Sequence, residues 1–385
     1  MVAERRSVRR LAAAPWTLPG VTGALLLVGS VLGAERLLLV LTIALQALFF
    51  AFFVRHLCFV LAATRAGRAD QAAPLVDSGS RPPVSVLVAC RNEQSVVGGL
   101  VQTLLQLDYP PDRLQIIVVD DGSSDRTGEL LDVAARKDPR LQCLHRPPDA
   151  GGGKSGALNE ALELVTGAVV VVFDADHQPR RDVLRRLVRH FEDPAVGAVQ
   201  GRCVIRNGEG VLLTELIAID YLAGYLVNEY GRQWMFQLPA YGGANCAVRT
   251  ESLRAVGGWN PRTVTEDTDL TLRLMLAGQR VRYDVTAVDE EEGVTTLARY
   301  WRQRYRWARG HQQVWRDYRW AVWRSPRLSL SEKLELTMFL FVFHLPVASA
   351  SGLVLLVIWQ SRAVAMSSPF DAYAFVFWPL LFLGP

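Results

Sequence analysis

"VVVVFDADHQ", residues 169–178, runs a wholly apolar stretch into two carboxylates, Asp174 and Asp176, with His177 behind them. Four valines and a phenylalanine in a row suit a strand buried on both faces. The acids then fall at its carboxyl end. Two upstream segments read the same way. "VSVLVAC" (84–90) is a continuous apolar strand, and "LQIIVVDDGSSD" (114–125) is a strand that also ends in paired acids, Asp120 and Asp121. Stretches of helical spacing separate and follow these strands: 95–107, 127–137 with Asp125 placed to cap it, and 180–191. Strands alternating with helices predict an α/β domain with a parallel-rich central sheet covered on both faces. Ligands in such sheets bind outside the carboxyl ends of the strands, where all four acids fall.

The flanks of this domain have a different character. The chain has 385 residues, 50% of them hydrophobic and 21% charged. Apolar runs cover 18–34, 37–54 and 336–359, each near the roughly 20 residues that cross a bilayer. No such run interrupts 81–327, which reads as one aqueous domain. Arg5, Arg6, Arg9 and Arg10 precede the first run, and Arg55, Arg65 and Arg68 follow the second. Both flanks are therefore expected on the cytoplasmic side, and the aqueous domain with them. A signal peptide at 1–34 is disfavoured, because a second apolar run follows at once and no small-residue cleavage site precedes it. Tyr373–Pro385 reads as the start of a further span, so the chain is expected to be a piece of a longer one. The expected organisation is a membrane hairpin at 1–66, a linker at 67–83, the aqueous domain at 84–298, amphipathic interface helices at 299–332 and a membrane region at 333–385. Five cysteines without a CxxC pair argue for free thiols and against a disulfide framework or zinc site. A net charge of +4 is too small to imply nucleic acid, and no protein partner is evident.

Four short segments carry chemistry. Two aspartates one residue apart can address one divalent ion, or an ion and a sugar hydroxyl; their oxygens suit Mg²⁺ or Mn²⁺. Solvated acids in a turn are the bland account of one such pair, and it weakens when two successive strands end in pairs. "GGGKSGALNEAL" (151–162) fails the Walker pattern, since Pro148 stands where its first glycine belongs. A turn ahead of a helix from Gly156 to Leu164 would explain the glycines, while Lys154 offers a cation for a nucleotide diphosphate. "TVTEDTDLTLRL" (263–274) places Thr265 to cap a helix whose first turn holds Glu266, Asp267 and Asp269, and the helix dipole alone would favour those acids. Arg299–Arg327 contains nine arginines, five tryptophans and a single acid, Asp317, which suits an amphipathic helix at a membrane interface.

In order, "ACRNE" (89–93), "VVDDGSSD" (118–125), "GGGKSGALN" (151–159), "FDADH" (173–177), "VTED" (264–267) and "QRYRW" (303–307) resemble the membrane-bound family 2 glycosyltransferases. That family includes cellulose, hyaluronan and poly-N-acetylglucosamine synthases and some glycolipid synthases. The resemblance covers roughly Val84–Gly310 and the flanking spans. It implies a GT-A nucleotide-binding fold between transmembrane and interface helices, in a multi-pass protein of a bacterial cell membrane. It implies that Arg91, Glu93 and Asp121 hold the uridine of a UDP-sugar and that Lys154 sits near the nucleotide. Asp174 and Asp176 would take ribose, diphosphate and the metal, with His177 beside it. Glu266 and Asp267 would be the catalytic carboxylates, Asp267 as general base. Gln303 and Arg306 would close over the diphosphate, and Trp307, Asn245 and Cys246 would line the acceptor site. One base without a carboxylate nucleophile implies direct displacement with inversion.

Two acceptors remain open. The stretch 289–310 is similar to bacterial enzymes that glucosylate diacylglycerol, implying a membrane lipid acceptor. The Gln303, Arg306 and Trp307 set is associated with processive synthesis on a growing glycan. Two other classes fit the sequence poorly. A dinucleotide-binding dehydrogenase would carry GxGxxG where "ACRNEQ" follows the first strand. A dead homologue would have lost Asp267 or the Asp174 and Asp176 pair.

Overall fold

The valine-rich segments pair in register. β1 (Val84–Cys90) lies between β2 (Leu114–Asp120) and β4 (Val169–Phe173), parallel to both, with Val88 opposite Val118 on one side and Phe173 on the other. The computed structural model in which this is seen describes residues 33–72, 79 and 81–361. It divides into two units, Arg55–Phe343 and the pair of segments Met1–Val54 and His344–Pro385. In the second unit the described residues are helical, as the first part of α1 (Ala34–Ala72) and as a helix over Leu345–Ser361.

The larger unit is built on an eight-stranded sheet of order β3-β2-β1-β4-β7-β6-β8-β5. β3 (Leu141–His145) adds to β2 in parallel. Beyond β4 the sheet becomes mixed. β7 (Cys246–Arg249) runs antiparallel to both β4 and β6 (Val196–Ile205), β8 (Arg280–Glu291) is parallel to β6, and β5 (Gln178–Pro179) closes the edge. The expected parallel-rich sheet is present, wholly parallel from β3 to β4. β7 is antiparallel because it enters the sheet after a helical excursion and from the opposite end; an apolar run carries no sign of its direction.

Side chains alternate across the sheet. Val86, Val88, Ile116, Val118, Val171 and Phe173 face α2 (Val97–Leu105) and α5 (Val183–Val188). Leu87, Ile117, Val119, Val170 and Val172 face α4 (Gly153–Leu162) and α9 (Glu266–Leu276). All are 0% exposed, and each such burial contributes roughly 1.5–3 kcal/mol. α3 (Thr127–Ala135) starts where expected, with Asp125 accepting from Thr127 N at 3.0 Å. α4 starts three residues before the expected Gly156.

One boundary differs from expectation, and two expected segments fall wholly or almost wholly outside the described residues. α1 is one continuous helix of 39 residues, so residues 67–72 of the expected linker are helical. The expected first span at 18–34 lies outside the described residues apart from its last two, as does Tyr373–Pro385 entirely. Two helical stretches, Leu39–Arg65 and Leu330–Leu355, are long and apolar enough to cross a membrane. α10 (Leu297–Arg324) is the expected amphipathic helix, with Trp301, Tyr305 and Trp320 each at least 60% exposed. α11 (Leu330–Phe341) opens on a capping box: Ser329 Oγ accepts from Glu332 N at 3.3 Å, and Ser329 N donates to Glu332 Oε2 at 2.6 Å.

One segment carried no expectation. α6 (Leu212–Leu222) runs into a π-turn (Ala223–Glu229) and then α7 (Tyr230–Phe236). Leu212, Leu216 and Ile219 share one face of α6 and are all more than half exposed.

Candidate active site

The sheet order reverses at β1. The chain leaves β1 toward β2 and β3 on one side, then crosses to β4 on the other. The crevice at such a reversal lies beyond the strand ends. A cleft of about 1220 Å³ opens there, lined by Glu93, Lys154, Asp174, Asp176 and His177, and farther round by Glu266, Asp267, Gln303, Arg306 and Trp307. Ten of the expected site residues are thus brought together from five separate segments. Arg91 is exposed and does not line the cleft.

Asp174 is fixed by Lys154, whose Nζ lies 2.5 Å from Asp174 Oδ1, 3.0 Å from Gly243 O and 3.8 Å from Glu266 Oε1. Burial opposes the charge of both partners. The pair and its neighbours outweigh it, so Lys154 is held above its ordinary pKa and Asp174 below, with Arg306 adding to the latter. Lys154 stands in the first turn of α4. Gly151, Gly152 and Gly153 ahead of it all have positive φ; at Gly152 a methyl group would also come within 3.0 Å of Gly156 Cα. The glycine run is therefore a left-handed entry to the helix. Among the described residues no side chain caps it, and Gly152, Gly153 and Ser155 line the cleft beside Lys154. Free N–H groups at a helix start, beside a lysine, suit a phosphate.

His177 is buried and clamped. Its Nδ1 meets Asp289, and its Nε2 faces Glu291 Oε2 at 3.3 Å, Asp174 Oδ2 at 3.9 Å and Asp176 Oδ1 at 4.0 Å. Burial, with the negative charge of Asp174 and Glu291, raises the Asp176 carboxyl. Burial likewise raises Glu93, helped by Asp176. Carboxylates thus outnumber cations around one imidazole nitrogen. Oxygen donors with one nitrogen fit a divalent ion such as Mg²⁺ or Mn²⁺, and Asp289 orients the imidazole as second carboxylates do behind metal-bound histidines.

Asp267 sits in the first turn of α9. Its Oδ1 accepts from Thr268 N at 2.6 Å and Thr268 Oγ1 at 3.2 Å. Its Oδ2 lies beside Gly243, where a methyl group would approach it to 3.0 Å. Burial raises the pKa of Asp267, and of Glu266 next to it, where the charge of Asp267 adds to the effect. Thr265 precedes them without the expected capping bond; its buried Oγ1 has no partner among the described residues.

Three expected residues have other occupations. The Asp121 carboxylate is taken by the buried Arg146, which also donates to Glu160 Oε2 at 2.8 Å and Gly151 O at 2.9 Å. Asp121 ties the strand end to the glycine turn and does not line the cleft. Asn245 and Cys246, expected at the acceptor site, are both 0% exposed, and that expectation is corrected. Asn245 Nδ2 donates to Arg202 O at 3.0 Å and Ala287 O at 2.9 Å, filling the register shift between β6 and β8. Cys246 is in β7 opposite Val172, and burial pushes its thiol up. All five cysteines are free. Residues that sequence reasoning missed include Gln200, whose Oε1 accepts from Gly242 N at 2.6 Å and so sets the loop between Lys154 and Asp267. The paired glycines of "YGGA" were the available signal.

The profile of the family described as "Glycosyltransferase like family 2" matches residues 82–310. The chain belongs to this glycosyltransferase family. It is 39% identical over 301 residues to the beta-monoglucosyldiacylglycerol synthase of Synechocystis sp., covering 76% of this chain and 62% of that one. It is 29% identical over 250 residues to the poly-beta-1,6-N-acetyl-D-glucosamine synthase of Staphylococcus epidermidis, covering 64% and 59%. The chain thus spans about 60% of the length of these relatives. Among solved structures it is similar to the mannosyltransferase PcManGT from Pyrobaculum calidifontis in complex with GDP-Man and Mn²⁺, with a TM-score of 0.60, 25% identity and coverage of 88% of this chain and 98% of that one. The fold of this family 2 glycosyltransferase is GT-A.

Proposed function

We propose that the protein transfers a hexose, glucose first among the candidates, from a UDP-sugar to the free hydroxyl of a diacylglycerol-type membrane lipid, with inversion. The observation that carries the transfer chemistry is Asp267: a half-buried carboxyl of raised pKa, one oxygen tied to Thr268, in one cleft with Lys154 and the open start of α4. The similarity to the Synechocystis glucolipid synthase supports the lipid.

The diphosphate of the donor lies against the first N–H groups of α4 and Lys154, with Arg306 on its other side. These cations take up the charge that develops as the bond from anomeric carbon to phosphate oxygen breaks. Asp267 Oδ2 accepts the proton of the acceptor hydroxyl as its oxygen bonds to the anomeric carbon from the opposite face. Glu266 and Asp174 keep Lys154 charged and in place. Asp176, Asp174 and His177, the DxD set and its histidine, would hold Mg²⁺ or Mn²⁺, which would neutralise diphosphate charge when bound. Glu93 faces the uridine side, with Arg91 two residues before it and Asp121 at the end of the neighbouring strand, the Asp121 N–H bonded to Cys90 O at 2.8 Å. Gln303, Arg306 and Trp307 form the QxxRW set over the diphosphate and acceptor.

The protein is proposed to be a multi-pass protein of a bacterial cell membrane, with residues 84–327 cytoplasmic, where UDP-sugars are made. The basic residues flanking the first two apolar runs and the two apolar helical stretches support this. The QxxRW set in the cleft wall, with the likeness to a polysaccharide synthase, favours one second reading: a processive β-glycan synthase.

The test is incubation of purified protein with labelled UDP-glucose, UDP-galactose or UDP-N-acetylglucosamine, with and without diacylglycerol micelles, followed by separation of lipid-soluble from polymeric product. A short glycolipid that requires diacylglycerol is expected. A ladder of long chains made without lipid replaces this reading with the second.

A further inference from the structure

The cleft extends well beyond the reacting groups. Small-molecule pockets occupy roughly 300–1,000 Å³, and this one is larger at about 1220 Å³. A second part of its wall is formed by Arg55 of α1, Glu229 of the π-turn, Arg232 of α7, His311 of α10, Phe339 of α11, and Phe343 in the 3-10 turn that follows α11. None of these residues was among the expected site residues.

Their charges cancel. Arg55 donates to both oxygens of Glu335, from Nε at 2.7 Å and Nη2 at 2.5 Å. Arg232 pairs with Glu229, whose other oxygen accepts from Ala240 N at 2.7 Å. Arg232 Nε also lies 4.0 Å from Glu335 Oε1. His311 adds no charge, because burial lowers its pKa to about 4, and its Nδ1 donates to Trp307 O at 3.1 Å. Two arginines and two glutamates sum to zero, so nothing here selects an anion.

Hydrogen-bonding capacity is left over. Arg232 is 4% exposed, with its guanidinium stacked 4.0 Å over the Phe339 ring. Its Nε and Nη1 have no hydrogen-bond partner among the described residues. Unmet donors on a buried charge are costly, and ionisable groups among apolar helices mark functional sites. The surroundings are apolar: Phe339 and Phe343 line the cleft, and Leu57 and Leu61 of α1 and Leu334 of α11 are exposed on helical stretches long and apolar enough to cross a membrane.

The geometry points to an ester-reading acceptor subsite: Arg232, braced by Glu229 and Glu335, donates Nη1–H to a carbonyl oxygen of an uncharged, ester-linked glycerolipid whose hydroxyl is presented in the same cleft as Asp267. This rests on the lipid-acceptor reading above and names what the site recognises in that lipid. An ether oxygen in place of the ester carbonyl is a poorer acceptor, and a phosphorylated headgroup meets no net positive charge.

The test uses the full chain in detergent micelles with UDP-glucose and two acceptors of equal chain length, a diacylglycerol and its dialkyl ether analogue. The diester is expected to have a kcat/KM roughly tenfold or more above the diether, the scale of one hydrogen bond to a charged donor. Equal use of both overturns the subsite and leaves the lipid reading standing. Transfer to neither overturns both. Arg232→Lys, which keeps the charge and loses the planar guanidinium with its Nη1–H, is expected to bring the ratio toward one; a general defect lowers both rates and leaves the ratio intact, which counts against the assignment. The wild-type ratio decides the matter even where the variant fails to fold.

Discussion

Gly310 of α10 packs directly on Thr265, the residue ahead of Glu266 and Asp267: a methyl group at Gly310 would sit 2.5 Å from Thr265 Oγ1. Gln303, Arg306 and Trp307 lie within two turns of Gly310 on the same helix. The contact therefore sets the distance between the proposed base and the residues proposed to cover the diphosphate. Gly310→Val should push α10 from the start of α9 and lower transfer by roughly 10²-fold, as small misplacements do. Steady-state kinetics measure this. Activity near wild type in the valine variant would show that the contact does not position the site.

Asp267 gives a pH signature. Its pKa is raised by burial, and a base acts when deprotonated. Activity should therefore fall with acidification through a pKa above the ordinary 3.8. Asp267→Asn should cut kcat by roughly 10²-fold or more and remove that acidic limb. A limb that survives in the variant belongs to another group.

The metal arrangement predicts that transfer stops in EDTA and returns with Mg²⁺ or Mn²⁺. Asp176→Asn should abolish transfer and the metal-dependent part of UDP binding, read by calorimetry with and without metal. Full turnover in EDTA would contradict it.

A structural charge cluster sits away from the cleft. Asp284 Oδ2 meets Arg189 Nη2 at 2.9 Å and His190 Nε2 at 2.8 Å, and its Oδ1 accepts from Thr286 Oγ1 at 2.6 Å. Burial pushes the Asp284 carboxyl up, but these partners outweigh it and hold it well below the usual range. A depressed carboxylate stabilises the fold above its unfolded pKa of about 3.9, and that stability is lost as pH falls through the folded value. Asp284→Asn should cost about 1–3 kcal/mol near neutrality, with the gap to wild type closing below about pH 4. Denaturant unfolding across that range measures it. A gap that persists unchanged would assign the loss to packing.

The sequence made the strand tips readable because unbroken valine runs have one physical explanation, and Asp174 and Asp176 could only follow at the end of one. Lys154 was legible for a similar reason, since three glycines before a helix demand a special backbone. Asn245 was not: its amide serves a register shift between β6 and β8, and that irregularity exists only once both strands are placed. Arg232 was equally hidden. Beyond its local i,i+3 pair with Glu229, its importance comes from Glu335 and Phe339, brought to it from α11, and no spacing in the chain announces that meeting. The reversal of β7 belongs to the same class, being a property of the route between elements.

The most direct measurement is the product formed from UDP-glucose and diacylglycerol by the purified protein, identified by mass and by the proton coupling at its anomeric carbon. A single β-linked glucosyl-diacylglycerol is the expected result, following from Asp267 as one base and direct displacement. An α-linked product, or a polymer that forms equally well without lipid, would contradict it.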